Sequence, residues 1–290
     1  MTIQPGSLAG LKKWPIRNEV PDLTGKVALV TGANSPGGMG FHTAYQLASK
    51  NAKVYIGARS ASKAQSAIQE MRKENPSITE DQLVPFVTDL GDIKAVRDAC
   101  RAMLQSESRL DILVHNAAII SMPVVINSDG ISASFAANHF GPFVLTNTLI
   151  PLLTHAAEIT GDARVVTISA TAYKFLPPGV RFDSINSFNQ EMEPTTLGGA
   201  DFTRYNGVKN WLPAEHLEGR LTPAEGVVTA LFAATSPKIF AEKNVYKGAF
   251  LVPPGSIEAL VGDASDDKLA QELWVTSERI VEAVCGKSEI

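Results

Sequence analysis

Short apolar runs rich in β-branched residues alternate with longer amphipathic stretches through the first 170 residues. Val27–Thr31, Lys53–Gly57, Leu83–Thr88, Asp111–His115 and Arg164–Ser169 are predicted as strands, and helical patterns fill the gaps between them. Runs such as VALV and DILV are apolar at every position, which implies burial on both faces, as in a parallel sheet covered by helices. The expected class is α/β with a doubly wound parallel sheet.

After the fifth predicted strand the pattern changes. Thr171 to Asp201 carries LPPG and FNQEMEPTTLGG and reads as a long loop, of a length that is usually either functional or disordered. Asp201 to Trp211 begins another helical pattern. Thr222 to Ala234 reads as a helix with Thr222 as N-cap and Pro223 in its first turn, Gly248 to Val252 as a short strand, and Ala264 to Val284 as the closing helix. No repeat and no linker divides the chain, so one domain is expected over residues 1–290, with residues 1–21 as an N-terminal extension.

Composition narrows the classes of function. Hydrophobic residues are 44% of the 290 and charged residues 19%, which excludes a largely disordered chain. Lys plus Arg number 26 against 30 for Asp plus Glu, with no long basic run, so no nucleic-acid partner is expected. The two cysteines, Cys100 and Cys285, lie far apart in helical patterns and suggest neither a disulfide framework nor a zinc cluster. His42, His115, His139, His155 and His216 show no ligand spacing, so no metal is expected. The N-terminal stretch lacks a signal-peptide pattern and no uncharged run reaches ~18 residues, so a soluble, cytoplasmic protein without a membrane partner is expected.

The first predicted strand runs into TGANSPGGMG, Thr31 to Gly40, and then into the helical pattern FHTAYQLASKN. Glycines clustered at a strand-to-helix junction let the backbone approach a pyrophosphate, whose charge the helix N-terminus stabilises. The plain alternative is a tight turn needing positive φ. The second strand ends in VYIGARSAS and puts Arg59 about 20 residues further on, where an acidic side chain would bind an adenosine ribose hydroxyl. A guanidinium there suits a 2′-phosphate, which favours NADP(H) over NAD(H), against the alternative of a solvated surface arginine. In YNGVK, Tyr205 and Lys209 are four apart and share one helical face. A lysine cation beside the phenol would lower its pKa from ~10 and let Tyr205 pass a proton to a carbonyl oxygen, against the plain alternative of an ordinary exposed helix pair.

With these motifs the sequence resembles the short-chain dehydrogenase/reductase family. Its FAANHFGPFVL stretch is most similar to the retinol-dehydrogenase-like and WW-domain-oxidoreductase-like branch. The resemblance implies a Rossmann-like sheet, with Gly32, Gly38 and Gly40 as the glycines of the family's TGxxxGxG motif and two extra residues between Gly32 and Gly38. It implies an adenine contact for Asp89, a role for Asn116 in the family's NNAG segment, read here as HNAA, and a water-orienting role for Asn138 in the proton relay. Tyr205 would be the acid/base and Lys209 its support and a nicotinamide-ribose ligand. Asp89 as a simple N-cap and Asn116 as a purely structural brace are the alternatives. Substrates of this branch are small carbonyl compounds or alcohols, including retinoids, steroids and secondary metabolites, and its members commonly form homo-oligomers through the helices flanking the sheet.

Two departures stand beside the resemblance. The fifth strand ends in RVVTISATAYKF, so Ser169 matches the first of the family's two serines and Ala170 occupies the catalytic place of the second. A methyl group cannot donate to a substrate oxygen, and losing one such donor costs on the order of 100 to 1000-fold in rate. Ser169 or Thr171 is the candidate replacement. After Lys209 the chain reads NWLPAEHLEGRLTPAEG, and Pro213 interrupts the helix where the family continues it and adds a sixth strand. With that strand deleted, Gly248–Val252 is expected either to slide beside the fifth strand or to leave its edge open. The leading expectation is an NADP(H)-dependent oxidoreductase. The alternatives are a pseudoenzyme, or a non-redox catalyst or binding protein on the same fold, and a subunit docking through the open edge.

Overall fold

A computed structural model of the chain describes residues 19–119, 124–170, 173–174, 179–190, 223–253 and 255–286. Five parallel strands form the central sheet: β1 (Val27–Val30), β2 (Lys53–Ala58), β3 (Leu83–Val87), β4 (Ile112–His115) and β5 (Arg164–Thr167), in the order β3-β2-β1-β4-β5. All five predicted strands are present, their ends shifted by one or two residues. Every residue of β1 and β4 is buried, as their unbroken apolar runs require, whereas burial in β5 alternates between half-buried and exposed.

Helices cover both faces. On one lie α1 (Met39–Ala48) and α2 (Ala61–Glu74), with Phe41, Leu47, Ile68 and Met71 packed against Ala28, Val30, Val54 and Ile56. On the other lie α3 (Ile93–Ser106) and α4 (Gly141–Thr160). Ile93, Val96, Cys100 and Met103 of α3 repeat at helical spacing and form one apolar stripe against that core. Asp92 caps α3 by accepting the Ala95 N–H at 3.0 Å, so Asp89 is not the N-cap. At the N-terminal ends of the strands the buried Asp111 carboxylate accepts the Val27 N–H and the Lys26 ammonium, both at 3.0 Å, and is bracketed by the Arg109 guanidinium.

The C-terminal part holds four short helices or turns of helix and a closing helix: α5 (Pro223–Gly226), α6 (Val228–Thr235), α7 (Pro237–Ala241), α8 (Lys243–Tyr246) and α9 (Asp267–Cys285). The helix expected over Thr222–Ala234 is therefore two segments meeting at Val227, and Thr222 lies outside the described residues. The closing helix starts three residues later than expected, because the Asp266 side chain accepts the Lys268 and Leu269 N–H groups and caps it there. The expected strand near 248–252 is β6 (Phe250–Val252), which pairs antiparallel with β7 (Ser256–Glu258) in a separate hairpin. Among the described residues no strand pairs with the outer edge of β5, so the main sheet ends at five.

Part of the segment expected to be a loop is core. Residues 179–190 contain a 3-10 turn, Ile185–Phe188, whose Phe188 is 0% exposed and sits among Phe135, Phe140 and Phe182.

Candidate functional site

The strand order reverses direction at β1, with β2 on one side and β4 on the other, and a crevice opens there outside the carboxyl ends of the strands. It is a solvent-open cleft of about 780 Å³, lined by residues at the ends of β1 to β4, including Gly32, Arg59, Thr88, Asp89 and Ile119. Its base is the glycine segment. Gly32 has φ +65°, and a Cβ on Gly40 would lie 2.2 Å from Asn116 Nδ2 and 2.5 Å from the Gly32 carbonyl oxygen. Only hydrogen fits at Gly40, so α1 starts directly against the end of β1. The two extra residues are absorbed in a turn through Pro36 and Gly37, closed by the Gly38 N–H donating to the Ser35 carbonyl at 2.8 Å. Gly38 is then the N-cap of α1 and brings no side-chain acceptor to the first-turn N–H groups. An anion placed there would meet unclaimed donors and the positive end of the helix dipole.

Asn116 is buried and holds this base together. Its Nδ2 donates to the carbonyls of Thr31 at 2.8 Å and Gly32 at 3.2 Å, while the Thr31 hydroxyl accepts the N–H groups of Asn116 and Ala117, each at 3.0 Å. The bracing reading of Asn116 therefore describes its geometry. Its Oδ1 is buried without a partner among the described residues, as is the Thr88 hydroxyl. Asp89 spends one carboxylate oxygen on the Gly91 N–H at 2.9 Å and faces the cleft. Arg59, at the rim beyond β2, is exposed and makes no ion pair among the described residues. The glycine cradle, the uncapped helix end and the free guanidinium together fit the pyrophosphate and adenosine half of a dinucleotide.

The other wall is organised by Asn138. It lies in a π-turn, Ala136–Phe140, entered from the short helical turn Ala133–Phe135 and continuing into α4. Its Oδ1 accepts the Ile119 N–H at 2.9 Å and its Nδ2 donates to the Ile119 carbonyl at 2.8 Å. Both ends of the amide are thus engaged with the backbone just beyond β4, so its side chain shapes the cleft wall. Ser169 and Ala170 follow β5, Ser169 exposed and Ala170 half-buried. Tyr205, Lys209 and Thr171 lie outside the described residues.

Sequence reasoning passed over Thr31, Asn34 and Thr88, which line the cleft. A hydroxyl at the end of an otherwise apolar strand was the available signal for Thr31 and Thr88. His115 was noted only as part of HNAA; its Nε2 meets the Thr146 hydroxyl at 2.7 Å, and burial lowers its pKa to about 4. Among the described residues no group of three or more His, Cys, Asp or Glu could hold a metal, and no helix is long and apolar enough to cross a membrane.

The family model of short chain dehydrogenases matches residues 26–180, which span the sheet and the cleft. The chain belongs to the short-chain dehydrogenase family. A short-chain dehydrogenase/reductase of Armillaria gallica is 33% identical over 91% of this chain and 95% of its own length. Human retinol dehydrogenase 14 is 30% identical over 89% of this chain and 86% of its own. The first alignment runs over 309 positions yet takes up 91% of a 290-residue chain, so the relative carries tens of residues with no counterpart here. A crystal structure of an uncharacterized protein from Mycobacterium paratuberculosis shares the fold, with a TM-score of 0.67 at 22% identity, covering 93% of this chain and 97% of the other. Membership makes this an oxidoreductase family protein of the nicotinamide-dinucleotide class.

Proposed function

We propose that the chain is an NADP(H)-dependent oxidoreductase that reduces a carbonyl, or oxidises a secondary alcohol, of a small, mostly apolar molecule. The observation that carries the cofactor choice is Arg59, an exposed guanidinium that lines the cleft and makes no ion pair among the described residues. A dianionic 2′-phosphate would supply the partner that Arg59 lacks.

In this reading Gly32, Gly38 and Gly40 admit the pyrophosphate to the first-turn N–H groups of α1, and Asp89 accepts from the adenine amino group. Asn116 keeps the ends of β1 and β4 in register beneath it. A nicotinamide dinucleotide held by these residues would supply or accept the hydride. Tyr205, its pKa lowered by the Lys209 cation, donates the proton to the carbonyl oxygen, and Lys209 also holds the nicotinamide ribose. Ser169 supplies the second donor to that oxygen, since Ala170 has none to give. Asn138 keeps the wall beyond β4 in place through Ile119.

The test is NADPH consumption by the purified protein over a panel of apolar ketones and aldehydes. Turnover should fall on the order of 100 to 10,000-fold in Tyr205→Phe, while NADPH affinity is retained. Product formation without NADPH consumption, or undiminished turnover in Tyr205→Phe, would sink the proposal. Ser169→Ala and Thr171→Val locate the second donor: the proposal expects the loss in the first.

A further inference from the structure

The NHFGPF stretch singles out more residues than the proposed function uses. Gly141 is explained by close approach, since a Cβ there would lie 2.3 Å from the carbonyl oxygen of Leu90, a cleft residue. His139 has a different environment. Its Nε2 is 2.7 Å from the Ser277 hydroxyl of α9, 138 residues further along the chain. That hydroxyl donates its own proton to the Leu273 carbonyl at 2.7 Å, so it can only accept from His139. Nε2 of the imidazole therefore carries a hydrogen, and burial, which lowers the pKa to about 4, favours the neutral ring. Its ring stacks on Phe188 at 6.1 Å and meets Phe140 edge-on at 4.9 Å.

His139 is adjacent to Asn138 in the same π-turn, a rare helical geometry found mostly as single turns at functional sites. One side of this turn is tied to the cleft wall by the two-point grip of Asn138 on Ile119. The other side is tied to α9 by His139. The helix is itself fastened to the segment after β5: Glu272 accepts the Phe182 N–H at 2.7 Å and pairs with Arg181, and Arg279 donates to the Asp183 carbonyl at 2.7 Å.

We propose that His139 is a positioning residue through which the C-terminal helix α9 holds Asn138, and with it Ile119, at the nicotinamide side of the cleft. The functional consequence rests on the dinucleotide reading above, but the coupling itself does not. Loss of the His139–Ser277 bond unties the π-turn from α9 and loosens the Ile119 backbone, without touching the Arg59 side of the cleft.

The experiment is residue-resolved amide hydrogen exchange on the full chain, in the parent, Ser277→Ala, His139→Phe and His139→Gln. Ser277→Ala and His139→Phe should exchange the Ile119 amide about tenfold faster than the parent, with the amides of β1 and β2 unchanged. His139→Gln keeps an N–H donor near the Nε2 position and should restore most of the protection. Unchanged Ile119 exchange in the two disrupting variants overturns the proposal, and so does equal acceleration across all strands, which is the mark of simple packing. Should Ser277→Ala fail to fold, the contrast between His139→Phe and His139→Gln gives the same answer. With NADPH, the disrupting variants should lose kcat while NADPH affinity holds. A parent that binds no dinucleotide defeats the functional reading and leaves the exchange result to decide the coupling.

Discussion

The two ends of the same four strands are built on opposite principles. At the N-terminal ends, Asp111 is 2% exposed and its two oxygens are claimed by Val27, Lys26 and Arg109. At the C-terminal ends the Thr88 hydroxyl, Asn116 Oδ1 and His115 Nδ1 are buried without partners among the described residues, and α1 begins without a side-chain cap. Each unpaired buried group costs on the order of 1–3 kcal/mol. One end is closed and stabilises the sheet; the other tolerates unsatisfied groups around a cleft, which is where a ligand can be bound. Variants at the closed end should therefore cost stability, and variants at the open end should cost ligand response.

The largest effect of a single substitution on stability is expected at the closed end. Asp111→Ala leaves two cations and a buried N–H without their acceptor and should destabilise the fold by about 3 kcal/mol, as read by urea unfolding. The partial exposure of Lys26 and Arg109 keeps the figure at the lower end of the range for a broken buried pair. A loss below ~1 kcal/mol would remove the contrast between the two ends.

Acid acts next, through the two buried histidines. His115 and His139 have folded pKa values of about 4 against 6.5 for the free side chain, so the unfolded chain takes up protons first as pH falls. Their stabilising contribution is complete above pH 6.5 and is lost progressively as pH falls towards 4, by roughly 3 kcal/mol for each residue over the full shift. Urea midpoints should decline measurably between pH 6.5 and about 5, before the carboxylates titrate, and His115→Asn should flatten part of that slope. A flat profile in the parent would contradict the burial of both rings.

At the open end, Gly40→Ala drives a methyl into Asn116 and the Gly32 carbonyl. It should cost about 1–3 kcal/mol and abolish stabilisation by dinucleotide, whereas Gly37→Ala, whose added methyl meets nothing closer than 4.0 Å, should do neither. The smallest effect on the fold, and the most selective one, is expected from Arg59→Met. Its stability should equal the parent's, while NADPH affinity falls on the order of 10 to 100-fold and NADH affinity is unchanged. Parallel losses for both nucleotides would remove Arg59 from the 2′-phosphate.

The same contrast explains which features the sequence displayed. β1 and β4 are buried on both faces, so their apolar runs announced a parallel sheet, and the glycine segment announced a close backbone approach at its end. The cleft residues Gly32 and Arg59 follow from local context of that kind, and Asp89 from the family resemblance. Long-range pairings were silent. Nothing near Asn138 showed that its amide would be consumed by Ile119, nothing near His139 pointed to Ser277, and Phe188 lay in a stretch whose polar and Pro-Gly composition hid a core residue. Likewise β6 pairs with β7 across a short turn, so of the two outcomes left open for it the place beside β5 is not the one taken, and among the described residues that edge stays open.

The most direct test of the central claim, that the open end of the sheet is a dinucleotide site selective for a 2′-phosphate, is thermal unfolding of the purified chain with rising NADPH and, separately, NADH. A ligand at 100 times its Kd adds ~2.7 kcal/mol to the native state, a clear rise in melting temperature. The account predicts that rise with NADPH at concentrations where NADH gives little, and its disappearance in Gly40→Ala. A folded protein that responds to neither nucleotide, or to both equally, would contradict it.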